Sequence, residues 1–128
     1  GLQPFRLTSP RVDTPDGTTI RDYVHVLDLA EAHLLALDAL RRGHPTDVIN
    51  LGSGVGYSTR QVIELVQEIT GVEFPIEPGE PRPGEPPVKY ASYAKAERVL
   101  GWRPRYGLEE IIRSAVLWHR RFPHGYPE

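Results

Sequence analysis

The segment RDYVHV, residues 21–26, sets an arginine, a phenol and an imidazole at every second position. In a β-strand such residues share one face, so Arg21, Tyr23 and His25 would point one way and Asp22, Val24 and Val26 the other. That face suits a phosphorylated ligand, because arginine offers phosphate a planar fork of donors and an aromatic ring can lie against a base. It equally fits an exposed strand whose polar side is solvated. A second arginine stands in PRPGE, residues 81–85, where Pro83 and Gly84 fix a tight turn. Such a turn would hold Arg82 and Glu85 in a defined relation, the cation for a phosphate and the carboxylate for hydroxyls, unless the two are an ordinary surface pair. The loop NLGSGVG, residues 50–56, resembles a glycine loop that cradles phosphate, but Tyr57 occupies the last glycine position of G-x-G-x-x-G. A plain strand-to-helix turn is the alternative.

Nothing assembles a catalytic centre. The five histidines, at positions 25, 33, 44, 119 and 124, lack metal-ligand spacing, and no serine sits in a nucleophile elbow. Asp13, Asp16 and Asp22 depart from the calcium-loop pattern. With 15 basic and 17 acidic side chains the net charge is -2, so neither nucleic acid nor an anionic membrane is an expected partner. The lack of cysteine excludes disulfides, iron–sulfur clusters, thiolate zinc sites and a cysteine nucleophile. No apolar run approaches the roughly 18 residues of a spanning helix, and the N-terminus lacks a signal-peptide layout, which predicts a cytoplasmic protein. Methionine is also absent, so either an initiator was removed or the chain is the downstream part of something longer.

The elements that must position these residues follow from the apolar spacing. Four amphipathic helices are expected, over about residues 29–42, from Ser58 to Gly71, over 93–100 and over 108–122. Asp28 with Glu31 predicts a capping box for the first, Ser58 with Gln61 one for the second, and Ser92 a cap for the third. Candidate strands cover 18–24, 47–51, 73–77 and 88–91, and the alternation of strand and helix indicates an α/β domain. Six prolines and two glycines make residues 75–87 an irregular loop with stiff segments. Residues 1–13 show no periodicity and are expected to be extended or disordered, leaving 14–128 as the domain.

Taken together, PDGTTIRDYVHVLDLAEAH, VINLGSGVGYSTRQVIE, PRPGEPP, ASYAKAERVLGWRPRYGLEEIIRSAVLWH and FPHGYPE follow one another as in a known family. From about residue 14 to 128 the chain resembles the C-terminal portion of NAD-dependent UDP-glucose (UDP-galactose) 4-epimerases, members of the extended short-chain dehydrogenase/reductase group. The resemblance implies a substrate-binding C-terminal lobe with elements that normally complete a Rossmann sheet. It also implies a reaction in which NAD takes hydride from C4 of a UDP-hexose while a tyrosine takes the hydroxyl proton. The 4-keto sugar then turns over and receives hydride on its other face, with the nucleotide as the anchor.

Carried over residue by residue, the UDP-holding positions are Arg21, Tyr23, Arg82 and Glu85, with Thr59 near the uracil. The family usually has aspartate where Glu85 stands, and the resemblance carries its ribose contact over to this glutamate. The family's NAD fingerprint and Tyr-x-x-x-Lys pair have no counterpart, since no tyrosine is followed by lysine four residues on. The chain is therefore expected to carry no catalytic residue, to bind no NAD alone and to lack the family's homodimer interface. Its expected partners are a UDP-sugar and an N-terminal Rossmann half, onto which the apolar first helix would pack. The alternatives are a non-catalytic UDP-sugar-binding module and a degenerate structural remnant.

Overall fold

A computed structural model describes residues 3–8 and 11–126 of the 128. Among the described residues two small sheets and four helices form a mixed α/β architecture. Strand β1 (Phe5–Leu7) pairs in parallel with β4 (Ile76–Pro78). In the second sheet β2 (Ile20–Asp22) is central, antiparallel to β3 (Gly56–Ser58) and parallel to β5 (Val88–Lys89). Helices α1 (Val26–Arg41), α2 (Thr59–Thr70), α3 (Ala94–Leu100) and α4 (Leu108–Arg121) complete the order.

The second helix starts where its sequence dictates. Ser58 accepts the Gln61 N–H at 3.1 Å and the Gln61 side chain accepts the Ser58 N–H at 2.8 Å, so two otherwise unpaired donors are satisfied reciprocally. Gly71 ends it. The first helix begins earlier than the expected 29–42. Its cap is His25, whose Nδ1 accepts the Leu27 N–H at 3.0 Å, and not Asp28. Asp28 is fully buried and faces another segment: its Oδ2 accepts the N–H groups of Arg105 and Tyr106 at 3.0 and 3.2 Å. One carboxylate thereby ties α1 to the chain entering α4.

The core beside this tie is small. Ala32 of α1 and Ala96 of α3 close on the Trp102 indole, with Val24, Leu35, Ile49, Leu51, Tyr93 and Leu100 around them. Two alanines allow the helices the approach that a flat indole requires, and Trp102 Nε1–H donates to the Asp28 carbonyl at 2.8 Å. The other side of α1 is uncovered: Leu34, Leu37 and Leu40 are all exposed.

The strands differ from expectation in instructive ways. Residues 47–51 form no strand and have no ladder partner among the described residues; Val48 is 81% exposed. The 18–24 strand shrinks to Ile20–Asp22, since β3 and β5 are short and offer no partner beyond Asp22. The strand expected at 73–77 lies at Ile76–Pro78, inside the stretch read as wholly irregular. Pro78 is tolerated there as the last residue of a two-stranded edge. Strands β1 and β3 were not expected; β1 falls within residues 1–13, of which 1, 2, 9 and 10 lie outside the described residues, as do 127 and 128. Among the described residues no helix is long and apolar enough to cross a membrane.

Replacing Trp102 removes the largest fully buried side chain and leaves Ala32 and Ala96 facing a void. A Trp102→Ala chain should lose about 3–5 kcal/mol of stability, read as a fall in the urea unfolding midpoint; a loss under about 1 kcal/mol would mean the core lies elsewhere.

Candidate functional site

The site is organised by Asp22, at the end of β2. One carboxylate oxygen accepts the Ser53 N–H at 3.0 Å and the Ser53 hydroxyl at 2.5 Å; the other accepts the Ala91 N–H at 2.9 Å. The 50–56 loop and the segment after β5 are thus clamped to one side chain. Gly54 N–H adds a bond to the Ala91 carbonyl at 3.1 Å. A Cβ on Gly52 would be driven into the Ala91 backbone, so this approach requires glycine. The loop is therefore neither a phosphate cradle nor the expected strand-to-helix turn: no strand leads into it among the described residues, and it runs into β3 before α2 begins. Its N–H groups at Ser53 and Gly54 are occupied by protein acceptors and its glycines by close packing, so it does not fit the pyrophosphate of a dinucleotide.

Beside this clamp lies an open cleft of about 490 Å³, lined by Arg21, Asn50, Lys89 and Tyr90 among others. Arg21 and Lys89 are register partners on neighbouring parallel strands, which brings two cations side by side on the sheet. The Arg21 guanidinium donates to the Ile20 carbonyl at 2.8 Å and pairs with Glu85 at 3.0 Å. The turn that delivers Glu85 is written in its sequence. Pro83 supplies the fixed φ of its first central position, Gly84 the positive φ of 74° at the second, and Glu85 N–H closes it onto the Arg82 carbonyl at 3.3 Å. Arg82 sits at the opposite corner of this turn and is exposed.

The expected alternation of RDYVH stops with the strand. Arg21 lines the cleft, whereas Tyr23 is half-buried in a separate apolar groove of about 580 Å³ between α2 and α4, against Val62, Val66, Ile112 and Val116. Burial raises the Tyr23 phenol above its ordinary pKa, with the Arg21 charge acting in the opposite direction, so it is a neutral donor at pH 7. His25 is buried as the cap of α1. Because its Nδ1 accepts from Leu27, its Nε2 carries the hydrogen and donates to Ser114 Oγ at 2.9 Å. The structure thus brings Arg21, Glu85 and the Arg82 turn together, and sets Tyr23 and His25 apart.

Thr59, the first residue of α2, lies against β2, its hydroxyl 3.1 Å from that of Thr19. The neighbouring Asp16 accepts the Thr18 N–H at 2.9 Å, the Thr18 hydroxyl at 2.7 Å and the Ser58 hydroxyl. Burial pushes the Asp16 pKa up, but these bonds and the Arg60 charge prevail and hold it below the usual carboxylate value. Lys89 and Asn50 escaped the sequence reading; the register of β5 against β2 is the signal that reveals Lys89. Among the described residues no group of three His, Cys, Asp or Glu could hold a metal ion.

Comparison with known proteins adds to this geometry. The family model described as GDP-mannose 4,6 dehydratase matches residues 8–115. The UDP-glucose 4-epimerase of Streptococcus mutans is 49% identical over 117 residues, covering 91% of this chain and 35% of that protein. A crystal structure of a UDP-glucose 4-epimerase superposes with a TM-score of 0.93 at 41% identity, over 99% of this chain and 39% of that one. The epimerase of Bifidobacterium longum, solved in complex with NAD+ and UDP, gives 0.86 at 35% identity, over 98% and 37%. The chain spans about a third of the length of the curated relatives it matches.

Asp16 carries a pH signature. A carboxylate whose folded pKa is depressed contributes stability that is fully present above its unfolded pKa of about 3.9 and is lost as pH falls through the lower folded value. An Asp16→Asn chain should therefore unfold at lower denaturant than the parent at pH 7, and the gap should close as pH falls through that window. A gap independent of pH would remove Asp16 from the support of Ser58.

Proposed function

As the chain belongs to the GDP-mannose 4,6 dehydratase family, we propose that it is the UDP-sugar-binding part of a UDP-glucose 4-epimerase, the enzyme that interconverts UDP-glucose and UDP-galactose. The observation that carries this reading is the meeting of Arg21 with the 82–85 turn at a cleft that Lys89 also lines. Arg21 and Arg82 serve the diphosphate as forked donors, and Glu85 serves hydroxyls of the ribose. Tyr23 contributes from the neighbouring groove, as a neutral phenol beside Arg21, and Thr59 stands nearer the base. Anchoring the nucleotide is the part of epimerisation that this chain's residues perform, because the sugar must turn over while the UDP stays fixed.

The NAD and the tyrosine base belong to another part of the protein. The crowded glycine turn and the lack of Tyr-x-x-x-Lys support that assignment. On this reading an N-terminal Rossmann half covers the exposed leucines of α1 and provides the dimer contacts, and the 128 residues alone turn nothing over. The juxtaposition of two cations on neighbouring strands favours nucleotide binding over a purely structural remnant.

Titrating the chain with UDP, followed by amide NMR, should shift resonances around Arg21, Glu85 and Lys89. Arg21→Ala should weaken binding at least about tenfold, the loss of one charge-assisted contact. UDP-galactose and added NAD should give no UDP-glucose. Binding unaffected by Arg21→Ala, or turnover by the isolated chain, would overturn the reading.

A further inference from the structure

We infer that Lys89 is the residue that makes this cleft select a nucleoside diphosphate over a monophosphate, by holding the phosphoryl group farther from the base. This rests on the reading of the cleft as a nucleotide site. The chain has only two lysines, and they are used differently. Lys95 donates to the Asp47 carboxylate at 2.6 Å and to the Val48 carbonyl at 2.8 Å. Lys89 lines the cleft, and among the described residues its ammonium has neither an ion pair nor a hydrogen bond.

Its place in the sheet gives that difference a meaning. The register of β5 against β2 seats Lys89 beside Arg21, one strand spacing or about 4.8 Å away at the backbone. Like charges so placed repel each other, and the nearby carboxylates answer only one of them. Glu85 pairs with Arg21 at 3.0 Å, and Asp22 directs its two oxygens at Ser53 and Ala91. An anion that enters the cleft therefore finds an unpaired cation at Lys89, on a four-carbon stem able to follow it.

The order of the sheet gives the ligand a direction. Passing from β3 across β2 to β5, the chain presents Thr59, which follows β3 directly, then Arg21, then Lys89. With the base on the Thr59 side, Arg21 meets the phosphoryl group attached to the ribose and Lys89 meets the next one along. Arginine serves the first as a fork of donors, and the ammonium serves the second as a compact point charge. A nucleoside monophosphate reaches Arg21 and stops short of Lys89, whereas a diphosphate engages both. No covalent bond changes.

The test is calorimetric titration of the chain and of its Lys89→Gln and Lys89→Arg variants with UDP and with UMP. Lys89 is exposed and its ammonium bonds to no described residue, so neither change removes a polar contact of the fold. Lys89→Gln should weaken UDP binding about tenfold and UMP binding less than about twofold, so that the preference for UDP falls. Lys89→Arg keeps the charge and should hold the parent's preference within about twofold. A preference for UDP that is unchanged in Lys89→Gln, or that falls as far in Lys89→Arg, overturns the role of Lys89, while UDP binding by the parent leaves the nucleotide reading standing. Absence of UDP binding by the parent overturns both.

Discussion

The Asp22 carboxylate is the interaction on which the site depends. Its two oxygens accept from Ser53 and from Ala91, residues 31 and 69 positions further along, and so convert three short strands into one fixed edge. Strands of two or three residues have too few ladder bonds to define a sheet alone. A charged acceptor taking three donors supplies what the ladder lacks, since charge-assisted bonds are stronger than neutral ones. Everything at the cleft follows from that register: Arg21 beside Lys89, Gly52 against Ala91, and the proline-rich turn returning to meet β2.

The same shortness distributes the chemistry of RDYVH. A strand continuing through residue 25 would have placed Arg21, Tyr23 and His25 on one surface. Because it stops at Asp22, the chain turns, and each residue finds a different environment: an ion pair at the cleft, an apolar groove, and a helix N-terminus. Two further carboxylates play parts like that of Asp22. Asp28 binds α1 to the segment before α4, and Asp16 binds the cap of α2 to the 16–18 turn. Buried or half-buried acceptors thus fasten elements whose apolar core, centred on Ala32, Ala96 and Trp102, is small.

What was legible in the sequence was local. The Ser58 and Gln61 box, the ends of α2 and α3 at Gly71 and Gly101, and the Pro83–Gly84 turn each depend on residues three or four apart, and each is present. What was illegible needed a partner distant in sequence. Residues 47–51 have strand composition but pair with no strand among the described residues, and apolar alternation cannot announce that. Phe5–Leu7 and Ile76–Pro78 are strands only because they find each other. The start of α1 was misplaced because Asp28 has the chemistry of a cap, yet its carboxylate is taken by Arg105 and Tyr106 backbone donors 77 and 78 residues away. Arg21 and Glu85, both singled out in the sequence, meet as an ion pair, while Lys89 becomes visible only through its register with Arg21.

The most direct measurement is the UDP affinity of an Asp22→Ala chain, taken together with amide hydrogen exchange at residues 50–56 and 88–91. Asp22 as organiser predicts that both segments lose protection and that UDP binding weakens by at least about tenfold, although the carboxylate is engaged with Ser53 and Ala91 rather than with the ligand. Unchanged affinity with unprotected segments would contradict it, because the cleft would then bind nucleotide without the frame that Asp22 holds.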